Sequence, residues 1–266
     1  MNRRRRVTEI GLGLALVACR PSPPAPTCEA REPSPTLDRA GPIAHAHNDY
    51  EHARPLEDAL THGFTSVEAD VYFVDGEVVV SHLGWPIRGT LEALYLAPLQ
   101  RRFEQGELSR PFSLWVDLKD SSPEMLVALR ASLWTHSMLV REDSPVALVL
   151  TGDGAKATWT EGLPPRARHR DANEIGDDDA RDDPYWTHYA LDYRRYFTWD
   201  GAGEVPADLQ QSLRCLVHRA HERGRRLRLF ATPETPSFWR LAMQEGVDFL
   251  HVDDFAAYAR FSRKKP

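Results

Sequence analysis

Three times this chain runs a helix-period segment into a single glycine and then into an apolar strand: 55–62, Gly63 and 65–73; 207–223, Gly224 and 226–230; 237–245, Gly246 and 247–252. Glycine suits the left-handed residue that closes a helix, so each unit reads as an αβ step. Further strand candidates lie at 43–46, 77–81, 112–116, 146–150 and 189–192, with helix-period segments between several of them. Strands that alternate with helices make a mainly parallel sheet, and about eight of them in one domain make a compact (β/α)8 barrel, the TIM-barrel form of the α/β class. At roughly 220 residues the barrel sits near the lower end of a class that runs from about 200 to over 400.

Ahead of the barrel, Arg3 to Arg6 form a basic start and Ile10 to Ala18 a short apolar run that stops at Cys19. That run is shorter than the roughly 20 apolar residues of a permanent span and reads as a cleaved export signal. Leu16-Val17-Ala18-Cys19 resembles a bacterial lipobox. The expected organisation is a lipoprotein signal peptide at 1–18, a proline-rich disordered tether at 19–42 lipidated on Cys19, and one barrel domain at 43–266. The expected location is a bacterial cell envelope, anchored to a membrane and facing the periplasm or exterior. The formal charge is −6, and removal of 1–18 takes away four arginines and one glutamate to leave −9. A net acidic domain is a poor partner for nucleic acid, and a monomer is expected. Cys28 and Cys215 can pair in an oxidising compartment, and no metal-type cysteine spacing exists.

Short polar clusters stand at the ends of apolar runs: His45-Ala46-His47-Asn48-Asp49-Tyr50, Glu68-Ala69-Asp70, Ser81-His82 and Asp117-Leu118-Lys119. Residues i and i+2 of a strand point the same way, so Glu68 with Asp70, and Asp117 with Lys119, each aim as a pair into one place. A buried acidic pair is costly without a cation to neutralise it. Three carboxylates, two histidines and a lysine at the carboxyl-terminal mouth of a barrel describe a divalent-metal site with acid and base groups beside it, the equipment of phosphodiester chemistry. The acidic run around Asp177 to Asp183 lacks calcium-loop spacing and reads as a solvated loop, and Thr151-Gly152-Asp153-Gly154 is a weak phosphate-cradle candidate.

In their order, His47-Asn48, Ser66-Val67-Glu68-Ala69-Asp70-Val71, Asp75-Gly76, Val80-Ser81-His82 and Asp117-Leu118-Lys119 resemble the PI-PLC-like phosphodiesterase superfamily, which includes glycerophosphodiester phosphodiesterases and sphingomyelinase D. His-Asn-Asp-Tyr, Asp-Leu-Lys, Thr232-Pro233 and Gly246-Val247-Asp248 resemble most the branch typified by the altered inheritance of mitochondria 6 proteins. The resemblance implies a metal-dependent phosphodiester hydrolase acting on a glycerophosphodiester or a phospholipid headgroup. It implies that Glu68, Asp70 and Asp117 hold one Mg2+ or Ca2+, that His47 and His82 serve as base and acid, and that Lys119 offsets charge on a phosphate oxygen. Asparagine follows His47 where the glycerophosphodiesterase signature has arginine, and Leu83 follows His82 where aspartate is usual. Asn48 then remains as a substrate contact.

Two alternatives come from the same residues. His45-Ala46-His47 is also similar to the zinc pair of amidohydrolases, with Asp253 or Asp254 as the late aspartate, but that reading leaves Glu68, Asp70, Asp117 and Lys119 without work. The other is a non-catalytic surface lipoprotein that binds a phosphorylated ligand.

Overall fold

The structure is a computed structural model, and it describes residue 28 and residues 31–37, 41–152 and 159–263. The expected signal peptide, Cys19 and Asp153-Gly154 lie outside these residues. Among the described residues ten strands are formed: β1 (Ile43–Ala46), β2 (Ser66–Val74), β3 (Glu77–Val80), β4 (Gly89–Thr90), β5 (Phe112–Leu118), β6 (Val146–Thr151), β7 (His169–Arg170), β8 (His188–Asp192), β9 (Arg226–Phe230) and β10 (Phe249–Val252). Eight of them run in the order β7-β6-β5-β2-β1-β10-β9-β8, with parallel neighbours throughout. Backbone bonds from Ala172 N to His188 O (3.2 Å) and from Ala190 N to Ala172 O (3.0 Å) join the two ends, so the sheet closes into the expected barrel.

Each of the eight barrel strands keeps one set of alternate residues for the interior and the other for the helices. In β2, Val67, Ala69 and Val71 join a large apolar core under the helices, leaving Ser66, Glu68 and Asp70 to point inward. In β9, Leu227 and Leu229 face the second helix-side core, which puts Arg226 and Arg228 inside. Trp115, Val149, Ala190 and Phe249 fill the interior. Above that plug the inward positions are polar, and the barrel mouth is built from them.

The helices are α1 (Glu57–Thr61), α2 (Ala97–Glu104), α3 (Pro123–Trp134), α4 (Ser137–Val140), α5 (Ala207–His221), α6 (Pro236–Glu245) and α7 (Phe255–Ser262). Helix α3 starts on Ser122, whose hydroxyl accepts from Met125 N, with proline at the first helical position. Helix α6 repeats that device on Thr235 and ends on Gly246 in the left-handed region (φ +85°). No helix among the described residues is long and apolar enough to cross a membrane.

Part of the stretch expected to be a disordered tether is instead laid against the barrel. Ser34 Oγ is 2.9 Å from His221 Nδ1, Leu37 N donates to Asp248 Oδ1 at 2.7 Å, and Arg31 pairs with Glu222. Cys28 is disulfide-bonded to Cys215 in α5. The segment has no regular structure because its bonds go to the barrel rather than within itself, which a local reading of proline content does not reveal.

Candidate active site

The register of the sheet decides where the carboxylates meet. Asp70 of β2 stands directly beside Asp117 of β5, with Glu68 one inward position deeper. The ligand atoms of Glu68, Asp70 and Asp117 all lie within 4.8 Å of one another, forming a possible metal group among the described residues. Lys119, just past β5, reaches back with Nζ 2.7 Å from Asp117 Oδ2 and 3.2 Å from Asp70 Oδ2. All four sit where the sequence puts them.

Burial and mutual repulsion set the charge state. Burial raises the Asp70 carboxyl above its ordinary value, and the Glu68 charge adds to that against Lys119. Burial and then Glu68 push Asp117 up to about 6. Burial alone raises Glu68 too, but Arg228, His45 and His47 outweigh it and hold Glu68 well below the carboxylate range. Burial lowers Lys119, yet Asp117 and Asp70 more than compensate and keep it above its usual value. Asp117 Oδ1 is buried with no hydrogen-bond partner. A cluster in which two of the three acids are pushed upward and one buried Asp117 oxygen lacks a donor is one into which a hard divalent cation fits.

His47 follows β1, where its N–H donates to Val252 O (3.2 Å). Its Nδ1 is 2.8 Å from Asp253 Oδ1 and its Nε2 is 3.8 Å from Glu68 Oε2. His82 comes from the other side. The β2–β3 hairpin turns on Asp75 (φ +51°) and Gly76 (φ +88°), the left-handed pair that a two-residue turn requires, and Ser81 N donates to Asp70 O. His82 Nδ1 thereby lies 3.2 Å from Asp70 Oδ2 and 3.1 Å from Tyr50 OH, with the side chain 52% exposed at the rim. A cavity of ≈ 380 Å³ opens beside the cluster, lined in part by His47, Glu68, Asp117, Lys119, Asn173 and Arg228.

Several residues turn out otherwise than their motif position suggests. Asn48 is not among the cavity's lining residues, and it adopts φ 44°, a left-handed conformation that asparagine tolerates, starting the turn Asp49–Glu51. Asp49 is a buried brace, accepting from Leu56 N (2.5 Å) and Tyr95 OH (2.9 Å). His45 is fully enclosed, its Nδ1 2.8 Å from Ser66 Oγ and its Nε2 3.4 Å from Glu68, so it does not make a zinc pair with His47. Burial, helped by Arg228, lowers its pKa to about 3, so the ring is neutral. In the acidic loop, Asp183 pairs with Arg170 (2.7 Å) and Asp179 accepts from Tyr189 OH (2.6 Å), which are structural roles.

Three participants were not singled out from the sequence, Arg228, Asp171 and His251, and Tyr50 stood in the His-Asn-Asp-Tyr motif without a role. Arg228 makes a two-pronged pair with Glu68. Asp171, fully enclosed, accepts from Thr151 Oγ1 at 2.6 Å. The available signal was alternation, since Arg226-Leu227-Arg228-Leu229 places its arginines on the inward face.

The fold and the site together define a TIM-type barrel with a convergent acidic group at its carboxyl-terminal mouth. Residues 37–120 match the AIM6-like phosphodiesterase domain, and the resemblance expected from the polar motifs is borne out. Altered inheritance of mitochondria protein 6 of Lachancea thermotolerans is 30% identical over 147 residues, 42% of this chain and 34% of that protein. A homolog of that protein from Arthroderma benhamiae is 23% identical over 262 residues, covering 80% of this chain and 81% of its own length. The chain thus spans about a third of the first of these relatives. Among solved structures, a glycerophosphodiester phosphodiesterase from Parabacteroides distasonis superposes with a TM-score of 0.55 at 17% identity, covering 85% of this chain and 99% of its own. An Oleispira antarctica phosphodiesterase, solved with the product sn-glycerol-3-phosphate, gives 0.51 at 17% over 85% and 98%. At that identity the two establish the barrel alone.

The altered inheritance of mitochondria relatives correct the expected location in a bacterial cell envelope. They are fungal proteins whose name refers to mitochondria, from Lachancea thermotolerans, Kluyveromyces lactis and Eremothecium gossypii among others, and not bacterial envelope lipoproteins. The reading rested on the basic start, the short apolar run and the lipobox-like Leu16-Val17-Ala18-Cys19, a local pattern that lies outside the described residues.

Proposed function

We propose that this chain is a metal-dependent phosphodiester hydrolase in which His47 and His82 move the protons. One observation carries the reading: Glu68, Asp70 and Asp117 converge on one point, Lys119 bridges two of them, and an imidazole touches the group from each side, through Glu68 and through Asp70. The chemistry needs this set, because cleavage builds negative charge on the phosphoryl oxygens while one proton is removed and another delivered.

Asp253 accepts from Nδ1–H of His47, which leaves Nε2 as the basic atom beside the cavity. In this reading Nε2 takes the proton of the attacking hydroxyl as the new phosphorus–oxygen bond forms. His82 donates Nδ1–H to Asp70 and presents Nε2–H at the rim, where it protonates the departing oxygen. The Lys119 ammonium lies in the cavity wall and pairs with charge on a non-bridging oxygen. Glu68, Asp70 and Asp117 would hold Mg2+ or Ca2+, which supplies Lewis-acid stabilisation to the same oxygens. The substrate class is a small phosphodiester of the glycerophosphodiester or lysophospholipid kind, matched to the modest cavity.

The test is turnover of bis-p-nitrophenyl phosphate, glycerophosphodiesters and a lysophospholipid, with and without chelator, in wild type, His47→Ala and Asp117→Asn. Metal-dependent turnover lost in both variants, with circular dichroism unchanged, supports the reading. Turnover that ignores chelator and both substitutions refutes it.

A further inference from the structure

His47 belongs to a second constellation, distinct from the three carboxylates. His47, His251 and Asp253 present ligand atoms that all lie within 4.8 Å of one another. His47 Nδ1 is 2.8 Å from Asp253 Oδ1, His251 Nε2 is 3.4 Å from Asp253 Oδ2, and the two rings stand 4.2 Å apart between centroids. We propose that these three side chains form a transition-metal site, of the kind Zn2+ takes, and that its occupation switches off the His47 base.

The donor chemistry separates this site from its neighbour. Two imidazoles and one carboxylate suit zinc, whereas the all-oxygen group suits Mg2+ or Ca2+. Zinc holds nitrogen and oxygen at about 2.0–2.2 Å in a tetrahedron, which puts neighbouring donors about 3.3–3.5 Å apart; the imidazole–carboxylate separations of 2.8 and 3.4 Å lie near that spacing, and all three donors lie within 4.8 Å. The His251 ring is buried, 4% exposed, so its Nε2 is held in place beside Asp253. Its Nδ1 has no hydrogen-bond partner. Asp253 is braced from behind by Glu234, which accepts the backbone N–H of Asp253 and of Asp254. The Asp253 side chain is 54% exposed, which leaves an entry path and a free fourth position.

Coordination at Nδ1 uses the lone pair that position gains when its proton leaves. The single proton of the neutral His47 ring must then reside on Nε2. Nε2 becomes a donor facing Glu68 and has no lone pair for the nucleophile's proton. No net proton is released from that ring, and the metal displaces the Asp253 hydrogen bond.

This inhibitory consequence rests on the proposed reaction, while the metal site itself does not. The full chain is titrated with Zn2+ against a chromogenic chelator in saturating Mg2+, for wild type, His251→Ala, Asp253→Asn and Asp70→Asn. Wild type and Asp70→Asn should bind one zinc ion alike, and His251→Ala and Asp253→Asn should each lose at least tenfold in affinity. Inhibition of bis-p-nitrophenyl phosphate cleavage, relative to each variant's own zinc-free rate, should shift by the same factor. Zinc affinity lost in Asp70→Asn but kept in the other two, or no zinc binding by wild type, overturns the proposal. Should His251→Ala fail to fold, Asp253→Asn, altered at an exposed side chain, carries the comparison. A chain that cleaves no phosphodiester yet loses zinc on His251→Ala refutes the reaction and leaves the site standing.

Discussion

Arg228 and Glu68 meet as a two-pronged pair inside the barrel, Nη1 to Oε1 at 2.8 Å and Nη2 to Oε2 at 2.6 Å, across 160 residues of sequence. The arginine is 2% exposed and the glutamate 3%, so each is the other's principal counter-charge. Arg228 also lies over the Trp115 ring at 5.1 Å, which ties the pair to the apolar plug beneath it. The innermost carboxylate of the site is therefore held in place before any metal arrives.

Removing the arginine should reveal that dependence. Arg228→Met leaves a buried carboxylate unpaired, a change that typically costs about 3–5 kcal/mol, or a fall in Tm of roughly 10 °C for a domain of this size. Arg228→Met combined with Glu68→Gln should recover most of the loss, because no uncompensated charge remains. Lysine does not substitute for a planar fork, so Arg228→Lys should behave more like Arg228→Met than like wild type. Thermal melts of wild type, Arg228→Met, Glu68→Gln and the double variant give the coupling directly, with Arg228→Lys melted beside them.

Asp171 predicts a pH dependence of stability. Burial raises its carboxyl from 3.8 to about 7 in the folded protein, with Thr151 pulling the other way. The folded state therefore holds a proton that the unfolded chain releases above about pH 4. Its contribution is fully present below pH 4 and is lost as pH rises through 7. Asp171→Asn carries no charge to bury and should melt several degrees higher than wild type at pH 8, with the difference vanishing near pH 4. A constant difference across that range would contradict the assignment.

The barrel could be read from the chain because its signals are local. The helix–glycine–strand units and the alternation of Val67, Ala69 and Val71 with Ser66, Glu68 and Asp70 are each complete within about two dozen residues, and Glu68 and Asp70 fall in the first of them. The less readable half is held by distant pairs. Strand β7 has only two residues, and its Arg170 reaches Asp183, while Arg225 stacks 3.6 Å over Trp186, 39 positions away. Arg228 and His251 escaped notice for the same reason, since their partners are set by barrel closure rather than by spacing. The docking of residues 31–37 has no local signal, because its partners are His221 and Asp248.

Tyr50 should act on the reaction through His82. Its ring is buried and its hydroxyl lies 3.1 Å from His82 Nδ1, next to Asp70. Tyr50→Phe keeps the packing and removes one hydrogen bond of about 1 kcal/mol, so kcat should fall about five- to tenfold with KM little changed. A loss confined to KM would place the hydroxyl in substrate binding instead.

Gly152 gives a steric test of the carboxylate cluster. It adopts φ +94°, and a Cβ there would collide with Asp117 Oδ1 and crowd the Leu118 backbone. Gly152→Ala must therefore displace the Asp117 carboxylate or the strand end that carries it. Metal affinity, measured by Mg2+ or Ca2+ titration, should drop tenfold or more, while Gly63→Ala, with open space around it, should leave it unchanged.

The amino-terminal segment should matter to stability and not to chemistry. The disulfide links residues 187 apart, and closing so long a loop typically contributes about 2–4 kcal/mol by restricting the unfolded chain. Reduction, or Cys215→Ser, should lower Tm by several degrees. The segment docks at Asp248, just before β10, whereas Asp253 stands just after that strand, so the strand's length, about 13 Å, separates the clamp from the catalytic mouth. Turnover at 25 °C should therefore survive reduction. Gly246→Ala offers a second route to the same loosening, because its Cβ would occupy the place of the Ser34 carbonyl oxygen. Proteolysis near residues 31–37 should become faster in both variants, and unchanged cleavage rates would show that the segment is held by something other than these contacts.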